Sequence, residues 1–330
     1  MLRKSPAIRR VERYYSRQPP NRPAWGERYQ PAILAVREEA PRGSRPTIIH
    51  AAHKLNRALH LLSLAERGVV LLALYNPEVF DIHEQRVLDP GPSPHPLHGH
   101  PSKGVVADLP PLPGTWPVAE QLGYQAMHPR LSFVDEGGVR RRMPHPLVGD
   151  FLLFIDPAVP GASAYCVNWN IKSARVEFTR RLNDYTERRP TRANRAAVAR
   201  HAIERTYYAR AGIPTYEIAG SELPPELVNN LCDIFSAQSR PPLPATVRAQ
   251  IVGRCQSIVG SDVAPHTLLE QLSWQYGIDF EQFRDTLLAA IWAREIRVDL
   301  FSRILFDRPL RPERIDALAR YGDWFCRSTV

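Results

Sequence analysis

Three polar residues cluster at the outer ends of two apolar segments in GDFLLFIDPAVPGASAYCVNWNIKS, residues 149–173. Asp150 opens the first apolar segment, and Lys172 closes the second. The Pro/Gly/Ser-rich stretch between the segments predicts a strand, a loop over about 156–164 and a returning strand. In that antiparallel register Asp150 faces Asn170, with Lys172 diagonal to it. A carboxylate, an amide and an ammonium group are therefore expected to converge at one end of a sheet.

A second carboxylate is expected from a helix. The segment HKLNRALHLLSLAERGVVLLALY, residues 53–75, predicts one helix with an apolar face that packs on the sheet. Glu66 lies at helical spacing from apolar residues on both sides, so it belongs on or beside that face. Burying an unpaired carboxylate is costly. Glu66 therefore either pairs with an arginine such as Arg67 or Arg57, or joins Asp150 in a divalent-metal site.

This residue set suits phosphodiester hydrolysis. Magnesium prefers hard oxygen ligands and leaves room for water and phosphate in its shell. A Mg²⁺ or Mn²⁺ ion held by Glu66 and Asp150 would bind a scissile phosphate and activate water. Lys172 would orient that water or stabilise the developing charge. Taken alone, the Asp150–Lys172 pair is more typical of an ordinary surface salt bridge.

The composition describes a basic, arginine-rich chain. Its 330 residues carry a net charge of +9, and the pI is near 9.6. This length allows a large core and two domains. The charge favours an acidic partner, nucleic acid first, although it could equally serve solubility alone. Only four of the 43 basic residues are lysines, so a lysine at position 172 suggests a need for a compact ammonium group.

Cysteine usage and hydropathy bear on the cellular compartment. The cysteine spacings fit neither a zinc motif nor a small disulfide framework, and they predict free thiols in a reducing cytoplasm. No signal peptide opens the sequence, and no apolar run approaches the roughly 18 residues of a membrane span. We therefore expect a soluble intracellular protein with no membrane partner. The four cysteines are Cys166, Cys232, Cys255 and Cys326.

Three regions follow one another along the chain. Residues 1–46 are rich in Arg and Pro and predict an arm that lies on the body of the protein or on a partner. Residues 47–220 alternate helices and strands, which predicts an α/β domain, with a Pro-rich inserted loop at 90–117. Residues 221–330 predict several short helices closed by a β-ribbon at 296–312. That pattern is typical of a winged-helix module, which binds DNA or protein.

These residues resemble the PD-(D/E)xK nucleases, and their wider context resembles TnsA, the endonuclease subunit of heteromeric transposases. The similarity spans about residues 24–220. One position departs from the family pattern, which has Gln or Glu two residues before the lysine where this chain has the shorter Asn170. The matching segments are GERYQP, HKLNRALHLLSLAE, NPEVFDIHEQ, Pro146 followed by DFLLF, and IERTYYARAGIPTYEI.

The resemblance implies a site and a fold. Glu66 and Asp150 would bind Mg²⁺ or Mn²⁺ together with the main-chain carbonyl of Ile171, and Lys172 would be the catalytic lysine. Asn170 would support them. The implied fold is a restriction-endonuclease-like mixed sheet flanked by helices, followed by a C-terminal winged-helix domain.

The resemblance also implies a function and partners. The chain would hydrolyse phosphodiesters at the 5′ ends of a transposon while a DDE transposase processes the 3′ ends. Its C-terminal domain would contact an AAA+ ATPase regulator, and the complex would act on double-stranded DNA in the bacterial cytoplasm, associated with the nucleoid. Two alternatives are a catalytically impaired assembly factor, favoured by Asn170, and a stand-alone restriction or repair nuclease.

Further residues are candidates from the sequence alone. His145 lies five residues before Asp150 and could approach the site, although a structural hydrogen bond explains it better. Several arginines are expected to contact DNA phosphates, and a solvated face explains each of them about as well. These are Arg140, Arg141, Arg142, Arg180 and Arg181.

Overall fold

A computed structural model describes residues 5–20, 22–101, 109–134, 137–179, 191–240 and 243–327. Arg180 and Arg181, two of the predicted DNA contacts, lie outside these ranges. The fold is mixed α/β, with a mixed sheet flanked by helices. Two compact units make up the chain. The first is Met1–Arg67, Glu78–Glu222 and Trp324–Val330, and the second is Gly68–Pro77 and Leu223–Asp323.

The first unit combines a central sheet with helices and two small hairpins. Helix α3 starts in this unit and continues into the residues of the second. In chain order the elements are α1 (Pro6–Arg17), β1 (Thr47–His50), α2 (Ala52–Leu55), β2 (Ala58–Leu61), α3 (Leu64–Tyr75), β3 (Val79–Leu88), α4 (Thr115–Gln121), β4 (Arg130–Val134), β5 (Arg140–Pro144), β6 (Leu147–Ile155), β7 (Tyr165–Lys172), α5 (Arg192–Ala209) and β8 (Thr215–Ala219).

The central sheet has the order β3-β6-β7-β8. β6 runs antiparallel to both β3 and β7, whereas β8 is parallel to β7. The apolar run that ends β6 is fully buried, as expected for a strand covered on both faces. On one face, Ile203 and Tyr207 of α5 join Leu152, Phe154 and Cys166 of the sheet in one apolar cluster. This packing holds α5 over the β6–β7 hairpin.

The alternation of side chains along β3 reverses at Gln85. His83 packs against Phe154, with ring centroids 4.5 Å apart, and Leu88 belongs to the apolar cluster that contains Phe154. Residues 83 and 88 are five positions apart, so in a regular strand their side chains would point to opposite faces. Gln85 has a φ of +50°, which a non-glycine residue rarely adopts. The pairing of β3 with β6 places Asp150 opposite this position. An irregularity in the sheet thus lies beside the candidate carboxylate.

The segment 53–75 is not the single helix that its spacing predicts. Asn56 adopts a left-handed conformation and ends α2, and the chain then forms β2 before α3 starts at Leu64. Because Leu59 and Leu61 alternate with half-buried residues, β2 satisfies a strand pattern that the helical interpretation overlooked. Glu66 consequently lies in the first turn of its helix.

The two proline-rich regions contain more structure than expected. The predicted arm begins with α1, whose Tyr14 is buried and packs with Ala32 and Val87, so it lies on the body of the first unit. Within 90–117, Ser93 and Leu112 form an isolated β-bridge. α4 begins at Thr115, inside the range expected to be irregular.

The second unit is helical. α9 packs against the three helices that precede it, through buried residues such as Leu227, Leu269 and Leu287. The predicted β-ribbon at 296–312 is wrong. Within the described range 243–327 it is reduced to a single bridge between Val298 and Pro312, because prolines lack the N–H that a ladder needs. The helices are α6 (Pro225–Ser236), α7 (Ala245–Ser257), α8 (Pro265–Tyr276), α9 (Phe280–Trp292) and α10 (Ala317–Arg320).

The observed units differ from the predicted regions at their edges. Residues 68–77 group with the second unit, and residues 324–330 group with the first. In the first unit the Trp169 indole donates a hydrogen bond to the carbonyl of Trp324, at 2.7 Å. No helix in the described part of the chain is long and apolar enough to cross a membrane.

Candidate active site

The β6–β7 hairpin has the register that its sequence predicts. Phe151 lies opposite Trp169, and the strands are joined over residues 156–164. Regular pairing ends at this rung. Beyond it the carboxylate of Asp150 accepts the main-chain N–H of Ile171, with 2.7 Å between Oδ2 and N. The side chain of Asp150 thus takes the place of a main-chain acceptor for the Ile171 N–H, and the two strands separate at this end of the hairpin.

Lys172 directs its ammonium group into this opening. Its Nζ donates a hydrogen bond to the carbonyl oxygen of Ile171 at 2.8 Å. It also lies 3.5 Å from Oδ2 of Asp150 and 3.5 Å from Oδ1 of Asn170. The side chains of Asp150 and Lys172 remain 18% and 28% exposed, so solvent reaches the pair. Three oxygen atoms therefore surround one accessible cation.

Glu66 is held at the start of α3 by a network of donors. Ser63 and Glu66 cap the helix reciprocally: the Glu66 N–H donates to the Ser63 hydroxyl, and that hydroxyl donates to Oε1 at 3.0 Å. The N–H of Leu62 donates to Oε2 at 2.8 Å. The side-chain amide of Gln85 donates to the same oxygen at 3.2 Å. The strained residue of β3 thus supports the carboxylate of α3.

The electrostatics link the two carboxylates. Burial, reinforced by the negative charge of Asp150, raises the pKa of Glu66 to about 7. The hydrogen bonds from Leu62 and Ser63 oppose the shift, as does the charge of Lys172. Glu66 and Asp150 therefore share a region where negative charge is incompletely compensated. Such a region favours a bound cation.

Gly220 allows the start of α3 to approach the end of β7. A Cβ built at position 220 would lie 2.8 Å from Cβ of Ala65 and 3.7 Å from the carbonyl oxygen of Lys172. Real Cβ contacts are not as short as the first of these, so a larger residue would push α3 away. This glycine follows β8 directly and brings Glu66 and Lys172 to the same edge of the sheet.

Two buried residues of α5 complete the polar environment. Nδ1 of His201 lies 2.7 Å from Nδ2 of Asn170, and burial, reinforced by the charge of Lys172, lowers the pKa of His201 to about 4. Glu204 accepts a hydrogen bond from Asn168 at 3.3 Å. Burial raises the pKa of Glu204 to about 7, with a smaller contribution from Asp150.

The site has oxygen donors that suit Mg²⁺ or Mn²⁺. Among the described residues no three His, Cys, Asp or Glu side chains come together as a metal-binding group. The candidate site instead combines the carboxylates of Glu66 and Asp150 with the carbonyl oxygen of Ile171. The ammonium of Lys172 already lies beside two of these oxygens. Because two of these oxygens lie beside a cation and all are hard donors, the set fits a magnesium-type ion, to which Lys172 would yield those two oxygens.

Other predicted residues lie in different surroundings. His145 hydrogen-bonds through Nδ1 to the carbonyl of Pro146 at 2.6 Å, and its ring contacts Tyr14 edge-on. Burial lowers its pKa. These contacts involve none of the clustered residues, so the structural hydrogen bond accounts for His145 better than a supporting role in the site. The three consecutive arginines form the exposed part of β5, in the β4–β5 hairpin.

Sequence reasoning missed three residues around the site: Gln85, His201 and Glu204. The Ser63-x-x-Glu66 spacing is a capping-box signal that could have located the start of α3. His201 and Glu204 are spaced i, i+3 in α5, which places them on one face of the helix together with Tyr207 and Tyr208 and marks a polar patch beside aromatic residues. Nothing in the sequence indicates the left-handed conformation of Gln85.

The chain was also compared with known proteins. No protein-family model matches it, and no curated protein matches it significantly.

Proposed function

We propose that this protein is a metal-dependent DNA endonuclease of the PD-(D/E)xK type. The observation that carries the proposal is the convergence of Asp150, Lys172 and Glu66 at an opened edge of the sheet. The three residues come from separate parts of the sequence: Glu66 and Asp150 are 84 positions apart, and Asp150 and Lys172 are 22 positions apart. A salt bridge alone would account for Asp150 and Lys172, but not for a second, desolvated carboxylate beside them, that of Glu66.

Each residue has a role that follows from its surroundings. Glu66, Asp150 and the carbonyl of Ile171 would hold Mg²⁺ or Mn²⁺. When bound, the ion polarises the scissile phosphate and lowers the pKa of a water molecule. Lys172 orients the attacking water, or donates to the phosphate oxygen on which charge develops. Gln85 and Ser63 keep the Glu66 carboxylate directed at the site.

The substrate and partners extend this proposal. We infer that the chain is a TnsA-like transposase subunit, which cuts the 5′ strands at transposon ends while a DDE transposase processes the 3′ ends. The motifs GERYQP and NPEVFDIHEQ support this assignment, and the helical second unit offers a separate surface for an AAA+ regulator. The net charge of +9 suits double-stranded DNA in the bacterial cytoplasm and nucleoid.

The β4–β5 hairpin supplies a candidate DNA contact. Its register pairs Val134 with Arg140 and Ser132 with Arg142, so these two arginines share one face. Arg130 lies on the same face, whereas Arg141 projects from the opposite one. A two-stranded ribbon fits the major groove of DNA, and arginines on one face reach the phosphates along it. The acidic residues at the tip, Asp135 and Glu136, lie outside the described part of the hairpin.

Strand nicking tests the nuclease proposal directly. The substrate is a labelled transposon-end duplex, with the cognate DDE transposase and either Mg²⁺ or Mn²⁺ present. Wild type is expected to nick the 5′ strand, while Asp150→Ala and Lys172→Ala bind the duplex without cutting it. Glu281→Ala removes a carboxylate from an exposed ion pair in the second unit and is the control that should cut normally.

The same experiment tests an alternative function. Asn170 occupies the position where the family has Gln or Glu, which favours a catalytically impaired assembly factor. If wild type forms the complex but does not cut in either metal, the nuclease proposal fails. Asp150 and Lys172 would then be remnants within a scaffold for the transposase, the AAA+ regulator and DNA.

A further inference from the structure

We propose that His201 is a positioning residue that orients the Asn170 side chain, so that the amide oxygen faces the catalytic opening. The inference rests on the proposed nuclease function. It would explain how a site with Asn at this position can work like one with a carboxylate there.

An asparagine can present either of two chemically opposite groups. Its side chain carries a carbonyl oxygen at one corner and an NH₂ group at the other, and the two orientations have nearly the same shape. A carboxylate presents an oxygen either way. For Asn170 to contribute an oxygen to the opening, some neighbour must therefore select one orientation of the amide.

Groups on both sides of Asn170 select the same orientation. On one side, the ammonium of Lys172 lies 3.5 Å from Oδ1, and an ammonium has only donors, so the atom that faces it must be an acceptor. On the other side, Nδ1 of His201 lies 2.7 Å from Nδ2. That contact is a hydrogen bond only if Nδ1 is unprotonated and accepts from the amide. His201 is therefore the neutral tautomer with its proton on Nε2.

The packing of α5 fixes His201 in place. The imidazole is buried, and its ring centroid lies 5.5 Å from that of Phe178. Its helical neighbours Ile203 and Tyr207 are packed in the main apolar cluster of the first unit. The ring is thus held by the scaffold rather than by the site, as a positioning group should be.

This arrangement makes a specific prediction about two substitutions. Asn170→Asp supplies an oxygen in either orientation, so the site should no longer need His201. Loss of His201 should therefore weaken metal binding in the wild-type background and have little effect in the Asn170→Asp background. A merely structural histidine would cost the same in both backgrounds, because its packing does not depend on the chemistry of residue 170.

Two measurements test the proposal on the full-length chain. The first is ¹⁵N NMR of the imidazole nitrogens of the metal-free protein, with the His201 signals assigned by their loss in His201→Ala. The second is calorimetric titration of Mg²⁺ and Mn²⁺ into wild type, His201→Ala, Asn170→Asp and the double variant. His128→Ala is the matched control, since it removes another buried histidine with two hydrogen bonds, to Thr115 and Pro129.

The expected result is an unprotonated Nδ1 and a loss of roughly tenfold to a hundredfold in metal affinity for His201→Ala. That loss should shrink to less than about threefold in the Asn170→Asp background, with His128→Ala unchanged. A protonated Nδ1 would overturn the inference, and so would an equal loss in both backgrounds. If wild type binds neither metal and nicks no DNA, the nuclease proposal fails instead, and the NMR result still decides the orientation of Asn170.

Discussion

Two of the carboxylate–cation pairs in the first unit, Arg57–Glu84 and Lys172–Asp150, differ in how completely their hydrogen-bonding groups are satisfied. The guanidinium of Arg57 binds both oxygens of Glu84, at 2.8 and 2.9 Å, and both side chains are almost fully buried. Glu84 also accepts the N–H of His60. Lys172 and Asp150, in contrast, are 3.5 Å apart and partly exposed, beside a further carboxyl whose pKa is raised.

The contrast separates structural from functional ion pairs. A forked, buried pair uses both carboxylate oxygens and both terminal guanidinium nitrogens, so it can hold strands together but leaves little capacity to bind a ligand. The Lys172–Asp150 pair keeps unused acceptor capacity, solvent access and excess negative charge. A catalytic site needs these properties, and they cost stability.

The largest expected effects come from removing the cation of each pair. Arg57→Met leaves the Glu84 carboxylate buried and unpaired, so the free energy of unfolding should fall by about 3–5 kcal/mol. Lys172→Met should change it by less than about 1 kcal/mol, because this pair is screened by solvent. The same variant should lower the nicking rate by about 10²- to 10³-fold. Denaturant unfolding and single-turnover nicking measure the two quantities. Equal destabilisation by both substitutions would contradict the distinction between the pairs.

The next effect is a pH dependence of metal affinity at the site formed by Glu66, Asp150 and Lys172. Because the pKa of Glu66 is raised to about 7, a proton competes with Mg²⁺ for this carboxylate. Metal affinity should fall about tenfold for each pH unit below 7 and level off above it. Titration calorimetry from about pH 5.5 to about pH 8.5 measures this. Glu204 has a pKa raised to a similar value, so Glu204→Gln is the control, and a flat profile in that variant would assign the dependence to Glu204.

The same carboxyl makes the metal-free protein less stable at high pH. The pKa of Glu66 in the folded protein lies above its ordinary value of 4.5, so protonation favours the folded state. Its contribution to stability is full below about pH 4.5 and is lost as the pH rises through 7. Mg²⁺ should restore the lost stability at pH 8, because it binds only the folded site. Thermal unfolding at about pH 4.5 and about pH 8, with and without Mg²⁺, measures the change in stability.

A smaller effect is expected from Gly220, which brings α3 close to the end of β7. Gly220→Ala should destabilise the protein by about 1–3 kcal/mol, since the new methyl group meets Ala65, and it should also slow nicking by moving Glu66. Gly253→Ala is the matched control within α7, where no atom lies within 4 Å of the place that the new methyl group would take. That substitution should stabilise the protein by about 0.5–1 kcal/mol. Thermal unfolding distinguishes the two signs, and a gain in stability at position 220 would show that α3 does not need the close approach.

The smallest effect concerns DNA affinity. Arg140→Ala with Arg142→Ala removes two cations from one face of the β4–β5 ribbon, so the slope of log affinity against log salt should fall by about 1.8. Arg141→Ala, on the other face, should leave the slope nearly unchanged. Fluorescence anisotropy with a catalytically inactive Asp150→Ala background measures the slope. If Arg141→Ala alone lowers it, the opposite face of the ribbon contacts DNA.

Local patterns were sufficient for several elements of the first unit. The β6–β7 hairpin, with its register and loop, follows from two apolar runs and a Pro/Gly segment between them. β3, α5 and β8 continue the alternation of helices and strands that the sequence predicts for residues 47–220. These predictions succeed because each segment has one dominant hydrophobic pattern and clear breaking residues at its ends.

Other elements depended on competition between patterns. Residues 58–61 suit a helix by spacing, but pairing with β1 makes them a strand. The 296–312 segment has strand-like composition, yet its prolines leave one bridge. In the first case the partner strand decided between local conformations of similar energy, and in the second the prolines of the segment itself prevented a longer ladder.

The sequence by itself determined which residues are available for chemistry: two carboxylates, an amide and one lysine among four. The hairpin register brings Asp150, Asn170 and Lys172 together. Only the tertiary structure decided how they are tuned. The raised pKa of Glu66 and the contact between His201 and Asn170 arise from groups far apart in the chain, and the left-handed backbone of Gln85 appears only in the folded structure. Desolvation and hydrogen-bond geometry depend on three-dimensional packing, and a linear pattern of residue types does not specify them.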